Sequence, residues 1–196
     1  MRIRRAVVPF VAVLAVATVA CEEDNIFRGT SPFVVTSSSQ VWQLGLEGFP
    51  SAYDFATARR FFVGAEPIGA FDATWVLDER ADGTLVFRPY SIVAPAASLV
   101  RVGIQDLGAV PFESVAEAPA EGYSAVDDST GVAVVEGHVY AFRISRITGS
   151  LVPINYAKLA VTEVGQQLPG DPDSRFIRFE WAYQVQPLNR DVVVED

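Results

Sequence analysis

Cysteine, histidine, lysine and methionine each occur once in this 196-residue chain, at Cys21, His138, Lys158 and Met1. One cysteine excludes an intrachain disulfide, because the bond needs two thiols. One histidine excludes a multi-histidine metal site, and no His/Cys cluster can supply the three or four ligands that zinc takes. Nucleophilic catalysis needs a base beside a Ser or Cys and a third group to orient it. His138 stands alone, and no Gly-x-Ser-x-Gly elbow or glycine-rich phosphate loop accompanies it. The chain is therefore expected not to be an enzyme. Helical periodicity is also missing, since no segment keeps a 3.6-residue apolar repeat over three turns. Internal repeats of 20–50 residues are absent too, which argues against solenoids and propellers.

What is present in quantity is apolar surface. Hydrophobic residues make up 50% of the chain and charged residues 20%. That is enough apolar area to offset the ordering entropy of a folded domain. The first residues read as an address. Arg2, Arg4 and Arg5 precede an apolar stretch from Ala6 to Ala20. It is too short to span a bilayer, for which about 20 residues are needed. A basic start, a short apolar middle and small residues at the end form an export signal. The signal ends in Thr18-Val19-Ala20-Cys21, which resembles the lipobox of bacterial lipoproteins. That resemblance implies cleavage before Cys21 and a lipid on its sulfur. The organisation expected is a signal over 1–20, a polar tether over 21–32 and a β-rich domain over 33–196.

Processing also changes the electrostatics. Losing Arg2, Arg4 and Arg5 from 15 basic residues leaves 12 against 24 acidic ones, a net charge near −12. Such a field repels nucleic acid and anionic headgroups. The expected membrane contact is the covalent lipid at Cys21, with acyl chains giving the hold.

Beyond the tether the pattern is strand-like. Val34–Val35 and Val41–Leu46 are short apolar runs, with the cluster Ser37-Ser38-Ser39 predicted as a turn between them. Residues 71–79 and 84–90 flank Ala81-Asp82-Gly83, and Asp-Gly between two apolar runs is a strong hairpin signal. Pro95, Pro111 and Pro119 break up 91–130, within which Leu99–Ile104 is readable as a strand and Phe112–Ala116 as a turn of helix. Gly131–Glu136 and His138–Ile147 are predicted as strands joined at Gly137, followed by Ile154–Val164 and Arg175–Val185. In the last strand Ile177, Phe179, Trp181, Tyr183 and Val185 share one face, and Phe176, Arg178, Glu180, Ala182 and Gln184 the other. That is a period-two pattern with one buried and one wet side. The prediction is an all-β, single, mainly antiparallel domain.

Functional candidates are few. The acidic pairs Asp127-Asp128 and Asp171 with Asp173 lie in turn-rich segments, where they read as solvated turn residues rather than calcium ligands. His138 opens a strand in which Tyr140 falls on the same side. It is either a half-buried imidazole with a hydrogen-bonded ring or an anchor for a ligand. Tyr140 and Tyr156 are the further ligand candidates.

Three segments carry a family resemblance: Val139-Tyr140-Ala141-Phe142-Arg143-Ile144, Asn155-Tyr156-Ala157-Lys158-Leu159-Ala160-Val161, and Phe176 to Gln184. They resemble the HmuY-like family of haem-binding bacterial lipoproteins. The resemblance implies an all-β fold, display on the outer membrane of the bacterial envelope, and haem held between two His or Met side chains. Here His138 is the sole histidine, and Met1 leaves with the signal. The expectation is thus a lipid-anchored protein binding haem or another flat hydrophobic molecule, without the family's two-ligand site. The alternative is an envelope protein–protein interaction or structural module with no small-molecule ligand. A large apolar pocket lined by Tyr and Phe would favour the first. A flat exposed aromatic patch with no cavity would favour the second.

Overall fold

A computed structural model describes residues 33–64, 73–94, 99–147, 150, 152–171 and 173–194. The signal, Cys21, the tether and the start of the 71–79 run lie outside these residues. The described chain is all-β, in two antiparallel five-stranded sheets.

The first sheet contains β1 (Val34–Trp42), β6 (Val100–Gly108), β8 (Val139–Arg146), β9 (Ile154–Gln166) and β10 (Arg175–Gln184). They stand in the order β1-β10-β9-β8-β6. The second contains β2 (Ala52–Asp54), β3 (Arg59–Phe61), β4 (Trp75–Glu79), β5 (Leu85–Pro89) and β7 (Val132–Ala133), in the order β3-β2-β4-β5-β7. Among the described residues helix is confined to α1 (Tyr90–Val93) and one 3-10 turn at Phe112–Ser114.

One core joins the sheets. Alternation sends Ile177, Phe179, Trp181 and Tyr183 of β10, Tyr140, Phe142 and Ile144 of β8, and Leu159 and Val161 of β9 to the inner side. Tyr53, Phe55, Trp75, Leu77 and Phe87 meet them from the second sheet. The rings pack edge to face, as between Tyr53 and Phe179 and between Trp75 and Phe87, the geometry that aromatic quadrupoles favour. A buried ion pair crosses this seam. Asp54, fully buried on β2, pairs with Arg146 of β8 and accepts hydrogen bonds from Thr74 Oγ1 (3.0 Å) and Thr57 N–H (3.0 Å). Every partner a buried carboxylate needs is present.

The hairpin is as predicted. β4 pairs with β5 in the register Glu79↔Leu85, and Gly83 sits at φ +85°, where a β-branched residue is strained. The Arg175 guanidinium donates to the Gly83 carbonyl (2.8 Å) and pairs with Glu79 (2.8 Å), tying the hairpin tip to β10. The strand expected at 99–104 is β6, and the expected helical turn is the 3-10 turn.

Three expectations are corrected. Ser37-Ser38-Ser39 is no turn but the middle of the continuous strand β1, which pairs along its whole length with β10. Of Gly131–Glu136 only Val132–Ala133 is strand, and it belongs to the second sheet beside β5. Gly137, at φ +79°, lies where the chain passes from one sheet to the other. The outer side of β10 is not uniformly wet, because Phe176, Ala182 and Gln184 are buried with the inner residues.

Candidate functional site

The outer side of the first sheet is closed by irregular chain. Phe112 packs with Val139, Ala160 and Ala182, and Ala118 and Val192 pack with Tyr156. Small residues on the strands leave room for this cover to lie close. Its fastening is Lys158, which points outward from β9 and is fully buried. Lys158 Nζ donates to the carbonyls of Phe112 (2.8 Å) and Val115 (2.9 Å) and lies 4.3 Å from the centre of the Phe112 ring. Burial pulls its pKa down to about 8, against the opposing pull of Glu113, Glu180 and Asp191. Carbonyls that end a short helix are natural partners for a cation. Nothing in the sequence marks this role except that the lone lysine is flanked by Ala157 and Leu159.

The ligand candidates occupy three different surroundings. The half-exposed His138 ring lies beside Asp106 at the end of β6, with Nδ1 at 3.0 and 3.1 Å from the two carboxylate oxygens. An ionised carboxylate only accepts, so Nδ1 carries the proton of this bond. Tyr140 is fully buried in the inner core. Its hydroxyl accepts from Val135 N–H (2.8 Å) and donates to Ala133 O (3.0 Å), stitching the chain between β7 and β8. Burial raises its pKa far above the ordinary tyrosine value, with the Val135 N–H pulling the other way. Tyr156 lies on the opposite side of the sheet, under Ala118 and Val192. No single hollow holds all three. The two-donor haem site implied by the family resemblance does not fit these residues: one imidazole is committed to Asp106, and the nearest tyrosine is neutral and doubly bonded.

The acidic pairs are turn residues. Asp128 accepts from Thr130 N–H (2.9 Å), Asp171 from Asp173 N–H (3.0 Å), and Asp82 from Thr84 N–H (3.0 Å). Among the described residues no group of three or more His, Cys, Asp or Glu is placed to hold a metal ion. Open clefts along the first sheet, among the described residues, include the following pair. One, of about 410 Å³, runs between Tyr123, Ser124 and Arg143, and the other, of about 550 Å³, lies beside Ser38, Ser39 and Gln40 near Arg60 and Arg178.

The two edges of that sheet differ. Along β6 the backbone is met by another segment: Ser124 N–H donates to Ile104 O (2.9 Å) and Ile104 N–H to Ser124 Oγ (3.1 Å). At Gly103 a side chain would collide with Tyr123, whose Cβ lies 2.9 Å from the position a Cβ would take. Among the described residues, β1 has no such cover over its middle. Val185 N–H reaches Phe33 O and Gln43 N–H reaches Arg175 O, both at 2.8 Å, so odd-numbered residues of β1 face β10. Even-numbered ones face outward, and Trp42 confirms the parity by donating to Pro50 O (3.0 Å). Val34, Thr36, Ser38 and Gln40 thus direct their N–H and C=O groups to the open side. The strand holds no charge and no proline, the devices that usually blunt an edge.

Comparison with protein-family models, with curated proteins and with solved structures finds no match to this chain.

Proposed function

We propose that this is an exported, lipid-anchored protein of the bacterial envelope that works by contact with another protein chain. Export and anchoring rest on the basic start, the short apolar stretch and Cys21, and the HmuY-like segments agree with display at the outer membrane. The contact function rests on one observation, the uncharged open edge of β1, because an edge with unpaired backbone groups is a template for strand addition. The ligand-capture alternative needs His138, Tyr140 and Tyr156 around one hollow, and the bonds of His138 and Tyr140 and the packing of Tyr156 support structural roles instead.

The test is a photo-crosslinking residue at position 38 in the full-length protein, expressed in a lipoprotein-processing bacterium, with a control at position 121. The expected result is a membrane-fraction adduct at 38 and none at 121. Adducts at neither position, or equally at both, refute the docking edge. An unmodified Cys21 thiol in the mass spectrum of the mature protein refutes the anchor.

A further inference from the structure

We infer that the occupant of the β1 edge is a second copy of this chain, paired antiparallel β1 to β1 about a two-fold axis at Ser37; this rests on the reading of β1 as a docking edge. Four outward-facing residues, Val34, Thr36, Ser38 and Gln40, present their N–H and C=O groups. One of these, the Ser38 carbonyl, has a long contact from the Ser37 hydroxyl (3.4 Å). Trp42 is withdrawn from the set by its bond to Pro50 O. With the axis at Ser37, Val34 meets Gln40 of the second copy and Thr36 meets Ser38. Each is a hydrogen-bonded pair exchanging both bonds. All four residues are then satisfied in both copies, and none is left over. An axis one residue further on would set Val34 against the already bonded Trp42.

Side chains and charges agree with this register. Phe33 and Val35, both nearly half exposed, come opposite Val41 and Ser39 of the second copy, of which Val41 is already buried in its own core. No charge lies on β1 itself. The nearest charged side chains, Arg60, Arg178 and Glu180, line the cleft at the Ser38–Gln40 end. Arg178 pairs with Gln40, and the antiparallel arrangement puts Gln40 of the other copy opposite Val34, so the two Arg178 residues stand six residues or about 20 Å apart along the strand. That exceeds the ~8 Å screening length at physiological salt, so these two arginines do not oppose each other. The product is one sheet continuous through both molecules.

The test uses the mature lipidated protein in detergent, with Cys21 held in its thioether and a single thiol introduced by substitution. Ser37→Cys places two thiols at the centre of a non-hydrogen-bonded pair, where Cα atoms stand about 4.5 Å apart and a disulfide closes with little movement. Ser39→Cys places them roughly 13 Å apart by the strand rise. Under mild oxidation the expected result is a disulfide dimer from Ser37→Cys and roughly tenfold less from Ser39→Cys. Ser38→Pro deletes only an outward N–H and leaves the ladder to β10 intact. It should turn a sedimenting dimer into a monomer with an unchanged melting temperature. Equal crosslinking at 37 and 39, or a monomer in the unsubstituted protein, overturns the inference. An adduct to a different protein from position 38, with no dimer, overturns the inference but keeps the docking edge. No adduct of any kind removes both.

Discussion

The two sides of the β1-β10-β9-β8-β6 sheet solve the same burial problem in opposite ways. The inner side carries Phe142, Phe179 and Trp181 and meets a second sheet of equally large residues, so its stability is dispersed over many ring contacts. The outer side carries Ala160 and Ala182 and meets irregular chain, held by one ammonium group on two carbonyls. Apolar packing tolerates no vacancy but has no single key. The strapped side has apolar contacts of its own, around Phe112 and Tyr156, and one charged key.

Breaking the inner side should have the largest effect. Trp181→Ala removes a fully buried indole and should cost about 3–5 kcal/mol in urea unfolding, with protection from hydrogen exchange lost across both sheets. A midpoint close to that of the unsubstituted protein would mean that β10 is turned the other way.

Lys158→Ala should cost less, about 2–3 kcal/mol, from two carbonyls left without a donor. Its signature should be local, namely early proteolysis and fast exchange within 107–123 while the inner core stays protected. Loss of protection everywhere at once would show that the strap is not separable from the core.

The hairpin tip comes next. Gly83→Val forces a β-branched residue to φ +85° and should cost on the order of 1–3 kcal/mol, read from the thermal midpoint.

Alkaline titration sharpens the contrast. The folded pKa of Lys158, about 8, lies below the unfolded value of 10.5. Between these two values the unfolded state holds more protons, and stability should rise with pH. Tyr53, pushed up to about 12 chiefly by burial, and the likewise raised Tyr140 and Tyr183 act in the opposite sense. They stay neutral when folded but ionise when unfolded, so stability should fall above about pH 10. Lys158→Met should flatten the rising limb and leave the falling one. A rising limb that survives the substitution assigns it elsewhere.

The smallest effect belongs to His138. Its pair with Asp106 is partly solvated, and His138→Ala should cost below about 1 kcal/mol. Haemin added to the protein should give no sharp low-spin spectrum at one equivalent. Such a spectrum, abolished by His138→Ala, would restore the ligand-capture reading.

What could be read from the sequence follows the same division. Strict alternation in β10 identified Phe179 and Trp181 as core, and Asp82-Gly83 located the hairpin, because each signal is local and repeated. β1 was hidden by its serines: an edge strand only partly covered needs no apolar alternation, so Ser37-Ser38-Ser39 imitates a turn. The outer cover was hidden because alanines and a lysine carry no pattern, and its partners come from residues over 20 positions away. For the same reason His138, Tyr140 and Tyr156 could all stand as ligand candidates in the sequence. Alternation puts Tyr140 and Tyr156 on opposite sides only once the pairing of β8 with β9 is known, with Arg143 opposite Tyr156.

Lys158 also has a chemical consequence. It carries the only side-chain amine in the sequence, and folding removes it from solvent. Reagents and enzymes that act on lysine, whether acylating agents, isopeptide-forming ligases or lysine-cleaving proteases, therefore meet a folded surface with no lysine to attack. Their rate of reaction with the native protein becomes a clock for a single event, the lifting of the 112–115 segment from β9.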